Sequence, residues 1–223
     1  MARYIETPAY YDSMPVDISF AFGDEKPAGK HGFVRTEGEQ LVFADGTPAR
    51  FWGVCFNGGA NFPSHDYAEK VANRLSQTGI NLVRCHQLDA WWHSPNIFSF
   101  TRGKKVRTTR VLDPESMDRL DYLLHCLKQR GIYIYMDNIV LRKFTIEDGV
   151  EHAEELFDGA KPYGIFDEKL IESCICVRND KIKLEIIVVE LTYRILFVRK
   201  TEKTVENTSN KVNKSLAERL VKL

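Results

Sequence analysis

The stretch DPESMDRLDYLLHCLKQRGIYIYMD, Asp113–Asp137, decides the fold. Asp113 is placed to cap a helix, and Pro114 sits at its first position, where a missing N–H costs nothing. Met117, Leu120, Leu124 and Leu127 recur at helical spacing and form one apolar stripe. Gly131 then stops the helix, since a glycine just past the end adopts the left-handed conformation at no steric cost. Ile132-Tyr133-Ile134-Tyr135-Met136 follows at once and reads as a strand.

The same grammar occurs one unit earlier. Ser64 is a plausible N-cap after Pro63, with Asp66 and Glu69 in the first turn, where negative charge suits the helix dipole. Tyr67, Val71 and Leu75 repeat at i, i+4 and i+8, with Ala68 and Ala72 alongside. Gly79 ends this helix, and Ile80–Cys85 reads as the next strand. Before it, Arg50–Phe56 is an apolar run suited to a buried strand. Further upstream, Phe33–Arg35 and Gln40–Phe43 are short strand candidates, and Asp45-Gly46 is a turn dipeptide, so a hairpin is expected there.

Strand, helix, glycine, strand, helix, glycine, strand is the signature of parallel βαβ packing, which makes the fold class α/β. A doubly wound sheet and a (β/α)8 barrel both fit. No GxGxxG or GxxxxGK[ST] follows any strand, which weakens the nucleotide-binding versions of an open sheet. The long segment from Gln87 to Leu112, directly after the second strand, favours a barrel, whose active site is built from loops at the C-terminal ends of strands.

The composition is that of an ordinary soluble protein, with 43% hydrophobic and 28% charged residues among 223. The formal net charge is zero, so electrostatics alone argue for neither nucleic acid nor an anionic membrane. No run of apolar residues is long enough to span a bilayer. Met1–Phe22 lacks a basic start followed by an apolar stretch, and five cysteines make an odd count. A cytoplasmic chain with reduced thiols is therefore expected. Cys174-Ile175-Cys176 is too tight for CxxC metal or redox spacing, no cluster has metal-ligand spacing, and no cofactor is expected.

The chain changes character near residue 172. All 14 glycines, all 8 prolines and all 3 tryptophans precede residue 173. Residues 173–223 carry 11 Lys+Arg against 6 Asp+Glu, whereas residues 1–172 carry 20 against 25. A compact domain needs turns, and turns lean on Gly and Pro. Two readings follow: a genuine C-terminal element with a solvated tail, or a foreign end from a frameshift or truncated gene. The composition favours the second, giving a domain over 1–172 and an atypical tail over 173–223.

Three blocks together carry a family likeness: LVFADGTPARFWGV (Leu41–Val54), GINLVRCH (Gly79–His86), and LDPESMDRLDY (Leu112–Tyr122) running on to GIYIYMD (Gly131–Asp137). In this order and spacing, residues 30–170 resemble the N-terminal part of clan A glycoside hydrolases, nearest to the cellulase-like family 5. The resemblance implies a partial (β/α)8 (TIM) barrel with an N-terminal β-hairpin. Phe51–Phe56, Ile80–Cys85 and Ile132–Met136 would be its first three strands. It implies hydrolysis of O-glycosyl bonds in β-linked glycans by a retaining mechanism, with two glutamates whose carboxyls stand about 5 Å apart. The family's acid/base stands in an Asn-Glu pair, and this chain has none. Glu190 ends an apolar run but lacks the preceding Asn, so it is a weak catalytic candidate. An inactive chain is expected; the alternative is a noncatalytic carbohydrate-binding remnant or a fragment without function.

By the same resemblance, Arg84 matches the arginine that holds the nucleophile carboxylate, although that carboxylate is missing here. His86, just past the strand, can bond a sugar hydroxyl or a catalytic carboxylate as a neutral imidazole. Asp137-Asn138 ends the third strand, where relatives often carry a histidine. Asn57, Asn61, Asp89, Trp91 and Trp92 follow the first and second strands. Indole faces suit sugar stacking, and the neighbouring amides and carboxylates suit hydroxyls. Trp52 is expected in the core, and Asp118, Arg119 and Asp121 on a solvated face. The expected partner is a carbohydrate, with no nucleic acid and no membrane. Exposed edges of an incomplete barrel are expected to promote self-association.

Overall fold

A computed structural model describes residues 17–100, 106–137 and 140–156. The chain divides into two compact units, Met1–Ile187 and Val188–Leu223, and every described residue belongs to the first. Glu190, Asn138, Cys174, Cys176 and the atypical tail lie outside the described residues.

The fold is α/β. Strands β1 (Val34–Glu37) and β2 (Gln40–Phe43) pair antiparallel. Strands β3 (Gly53–Asn57), β4 (Leu82–His86) and β5 (Tyr133–Met136) form a parallel sheet in that order. Helix α1 (His65–Gln77) connects β3 to β4, and α2 (Pro114–Gln129) lies between β4 and β5. The three expected strands are therefore present, adjacent and parallel. Among the described residues, the outer edges of β3 and β5 carry no further strand.

The two helix–glycine–strand joints are built alike. Gly79 and Gly131 have φ of 80° and 78°. At each joint two backbone bonds close the helix end. Gly79 N–H donates to Ser76 O and Ile80 N–H to Leu75 O; Gly131 N–H donates to Lys128 O and Ile132 N–H to Leu127 O. This double closure satisfies the last carbonyls and turns the chain straight into the strand. Asp113 caps α2 as its sequence indicates, accepting from Ser116 N–H at 3.0 Å. Ser64 occupies the N-cap of α1 without a side-chain cap bond.

Two expectations shift. The buried line of α1 is Ala68, Ala72 and Ser76, one position along from Tyr67, Val71 and Leu75. Small side chains let the helix approach closely, so the contact centres on the alanines, which are fully buried, and leaves Tyr67 on the flank. Trp52 is not core: it is 72% exposed. It precedes the first paired residue of β3, and the core includes that strand only from Val54 onward.

The sheet has two unlike faces because side chains alternate along a strand. Val54, Phe56, Val83, Cys85, Ile134 and Met136 join the core with Leu120, Leu123, Leu124 and Leu127 of α2. On the other face the registered pairs make rows. Gly53, Leu82 and Tyr133 form the lowest, and Cys55, Arg84 and Tyr135 the next; Asn57 and His86 pair above them. The hairpin region plugs the lowest row: Ala28, Phe43, Ala49 and Tyr133 are buried together, with Leu82 and Phe51 against them. Phe43 stacks on Tyr133 at 5.3 Å between ring centroids. The two-residue link of this hairpin is Gly38-Glu39, with Gly38 at φ 59°; Asp45-Gly46 instead turns the chain after β2, toward the Val42–Pro48 bridge.

His31 locks this base. Its Nδ1 lies 2.5 Å from Asp45 Oδ2 and its Nε2 3.7 Å from Glu25, which accepts the Tyr133 hydroxyl at 3.0 Å. The hydrogen bond to Asp45 raises the His31 pKa against the opposing effect of burial, and Glu25 adds to the rise. Asp45 is held down to about 2, first by the Thr47 N–H and then by His31. The imidazole's contribution to stability is complete below its unfolded pKa and is lost as pH rises through the raised folded value. The carboxylate's contribution is complete above its unfolded pKa and is lost as pH falls toward about 2. The lock is thus strongest from about pH 4 to about 6.5. His31→Gln is expected to flatten the alkaline side of a plot of urea midpoint against pH. A midpoint that still falls above pH 6.5 to the wild-type extent would assign that loss to another group.

On the outer helix surface, His65 pairs with Asp118 at 2.8 Å and Arg119 with Glu115 at 3.0 Å. Arg119 also lies 4.4 Å over the Phe100 ring.

Candidate functional site

The C-terminal ends of β4 and β5 bring three charged or titratable groups together. Arg84 and His86 leave β4 on the face away from the helices, and Asp137 directly follows β5. Arg84 Nε and Nη2 donate to Asp137 Oδ2 at 3.1 and 2.8 Å. His86 Nδ1 makes a short contact with the same oxygen. Arg84 also reaches to 5.7 Å from the centroid of the Tyr135 ring. The carboxylate holds the Arg84 proton more firmly, raising its pKa against a smaller effect of burial. Asp137 is nearly enclosed while Arg84 is 47% exposed, so the pair is anchored at the carboxylate and open at the guanidinium.

This pairing was not legible beforehand. The resemblance implied a carboxylate for Arg84 from a later strand; the structure supplies Asp137, 53 residues on. The register of the two strands makes the pair. Arg84 and Asp137 end neighbouring parallel strands, with Cys85 registered on Met136, so they share a face.

The other candidates fall into three groups. Asn57 is exposed at the end of β3, paired in register with His86. Its Oδ1 is 3.7 Å from the sulfur of Cys55, the one exposed thiol among the described cysteines. Burial pushes Cys85, on the helix side, up to about 12, which leaves it unreactive. Trp91 and Trp92 are 45% and 41% exposed and meet edge to face, with ring centroids 5.7 Å apart. Lys143 Nζ stands 4.6 Å from the centroid of the Trp91 ring.

Asp89 and Asn61 point into the protein. Asp89 is buried, and its two oxygens accept Val140 N–H at 2.8 Å and Leu141 N–H at 3.1 Å. It therefore ties the loop after β4 to the loop after β5. Asn61 is fully buried and donates to Gly58 O at 3.0 Å and His86 O at 3.1 Å, which fixes the β3–α1 turn against the end of β4. Gly58 has φ 49°, and a Cβ there would come within 2.3 Å of the His93 ring, so glycine is required where this turn meets the long loop.

The long loop has its own anchor. Asp148 is fully buried and accepts from Thr108 Oγ1, Thr109 N–H, Thr109 Oγ1 and Thr145 N–H, all between 2.6 and 2.8 Å. Arg142, also buried, donates to Thr109 Oγ1 at 2.7 Å and Thr109 O at 2.9 Å. Its guanidinium lies against Phe98 and Phe144, at 5.5 and 4.5 Å. Sequence reasoning found neither residue, because nothing in a periodic pattern marks contacts 33 to 40 positions apart.

Among the described residues, no group of three or more His, Cys, Asp or Glu side chains is placed to hold a metal ion. No helix among them is long and apolar enough to cross a membrane.

No protein-family model matches the chain. No curated protein matches it either. Solved structures similar to part of it include a family 5 glycoside hydrolase from Bacteroides vulgatus, at 21% identity and a TM-score of 0.42. That match covers 65% of this chain and 29% of the other. A second, a glycoside hydrolase, has 20% identity and a TM-score of 0.35 over 49% of this chain and 26% of its own. An endo-1,4-β-mannanase from Rhizomucor miehei has 17% identity and a TM-score of 0.43 over 64% of this chain and 39% of its own. The chain thus spans less than two fifths of the length of each of these three proteins.

Proposed function

We propose that the described residues are the opening units of a (β/α)8-barrel O-glycosyl hydrolase and retain part of its carbohydrate cleft. One observation carries the reading: Arg84, His86 and Asp137 gather at the C-terminal ends of adjacent parallel strands, on the face opposite α1 and α2. This is where a barrel of that kind builds its site. The exposed Trp91–Trp92 pair adds apolar area on the loop after β4, and Asn57 adds hydrogen-bonding capacity in register with His86. Sugars of β-linked glycans offer apolar ring faces and hydroxyls to match.

Hydrolysis is a different matter. The chain lacks an Asn-Glu pair, and Glu190 is the weak remaining candidate for an acid. Loss of one carboxylate of a retaining pair removes most of the rate, because acid and nucleophile act together. This chain is therefore proposed to bind without turning over.

The test is titration of the full chain with cellotetraose and with mannotetraose, followed by tryptophan fluorescence and by release of reducing sugar. Saturable fluorescence change without reducing-sugar release is expected. Trp91→Ala is expected to weaken binding about tenfold, the size of one lost aromatic contact. Trp52→Phe, at the opposite end of the sheet, should leave the affinity unchanged. No saturable change with either sugar would remove the carbohydrate reading, and turnover lost on Glu190→Gln would overturn the assignment of inactivity.

A further inference from the structure

Resting on that reading, we propose that Asp137 is a positioning residue that makes His86 a hydrogen-bond acceptor at Nε2, so that the site presents an acceptor beside the donor Arg84. The ligand group matching this pair is a vicinal diol: one hydroxyl donates to His86 Nε2 and its neighbour accepts from Arg84.

The cluster converges on the single oxygen Asp137 Oδ2. It receives Arg84 Nε at 3.1 Å, Arg84 Nη2 at 2.8 Å and His86 Nδ1 in a short contact. A carboxylate has only lone pairs to offer, so Nδ1 must bring the proton. The competing contact, Arg84 Nη2 to His86 Nδ1, is looser at 3.4 Å. In the neutral imidazole a proton on Nδ1 leaves a lone pair on Nε2. Nε2 has no partner among the described residues and is not among the buried unpartnered atoms. With the ring 24% exposed and Nδ1 held at the enclosed carboxylate, Nε2 is the edge left for a ligand. Arg84, 47% exposed, can only donate. The more enclosed side of the cluster thus serves orientation, and its outer side carries one donor and one acceptor.

Cys55 and Tyr135 flank Arg84 in register, and Asn57 flanks His86. Replacing the carboxylate by an amide reverses the pattern. An Asn at this position can turn its oxygen to Arg84 and its NH2 to Nδ1, which moves the imidazole proton to Nε2.

The experiment is the 15N spectrum of the full chain labelled at histidine, with the His86 signals assigned by their loss in His86→Gln. It is recorded as pH is raised until the shifts stop changing, so that the neutral ring is observed. Protonated Nδ1 and unprotonated Nε2 are expected in the wild type, and the reverse in Asp137→Asn. Asp137→Glu should restore the wild-type pattern. A merely structural role for Asp137 would not exchange the two nitrogens. Wild-type signals with the proton on Nε2 overturn the proposal, as does an Asp137→Asn spectrum unchanged in tautomer. Should Asp137→Asn fail to fold, the wild-type tautomer decides alone. With the proton on Nδ1, per-O-methylated cellotetraose, which keeps acceptors and loses donors, is expected to bind about tenfold more weakly than cellotetraose. Equal affinity would overturn the diol assignment. If neither sugar binds, the carbohydrate reading fails, and the diol assignment fails with it, while the tautomer still decides the role of Asp137.

Discussion

Replacing Asp148 by alanine is expected to lower the stability of the fold by about 3–5 kcal/mol, the range for removing a buried, multiply hydrogen-bonded charge. The carboxylate accepts two backbone N–H groups and the hydroxyls of two threonines, with a third hydroxyl, Thr145 Oγ1, at 3.2 Å. Alanine leaves those donors without an acceptor and without water. The pH dependence gives a second signature. Burial pushes the Asp148 pKa up, but the bonds from Thr108, Thr145 and Thr109 outweigh it and hold the group below the ordinary carboxylate value. A depressed folded pKa means that the stabilisation is present above the unfolded pKa and is lost as pH falls through the folded one. Acid unfolding of the wild type should include this loss. In Asp148→Ala and in the near-isosteric Asp148→Asn, the acid limb of the urea midpoint should be shallower. A variant that unfolds at the wild-type midpoint would show that the long loop is not anchored through this residue.

Leu127→Ala is expected to cost about 2–5 kcal/mol by a different route. Leu127 is completely buried in the core between α2 and the sheet. Its carbonyl also accepts the Ile132 N–H that turns the helix into β5. Alanine keeps that backbone bond and removes only side-chain volume, so the cost is a cavity. Leu127→Met, which conserves volume, should cost less than about 1.5 kcal/mol. Neither change should alter the shape of the stability–pH curve, since no titrating group is touched. Urea unfolding at several pH values therefore separates the two residues: Asp148 changes the curve's shape and Leu127 its height.

The parts of the fold that were legible in advance are those decided within one turn of the chain. Gly79 and Gly131 announce their joints because a left-handed residue, a finished helix and a waiting strand are contiguous. Asp113-Pro114 announces its helix start for the same reason. The parallel order of β3, β4 and β5 followed from the repetition of that local grammar. What escaped was decided by packing. Ala68 and Ala72, not Tyr67 and Val71, face inward because closeness of approach outweighs apolar surface. Trp52 is apolar and adjoins a strand, yet it is exposed. Within the site, Arg84 and His86 could be named from their place at a strand end. Their common partner could not, since sequence carries no sign of register between strands 53 residues apart. Asp89 was legible as a loop carboxylate but not as one already committed to Val140 and Leu141.

The rows on the uncovered face have a consequence for water. Tyr133 and Leu82 lie under the aromatic plug at one end, while Arg84 and Asn57 stand exposed toward the other. The sheet therefore has a waterline, and its polar groups are arranged by depth. Charge–charge attraction grows as the surroundings lose water, so the same guanidinium one row lower would be costly to leave without a carboxylate. At its present height Arg84 stays hydrated on its outer edge and can exchange water for another acceptor. The hydrogen-bonding groups of this face therefore stand at its rim, while Tyr133 is sealed beneath the hairpin at the other end.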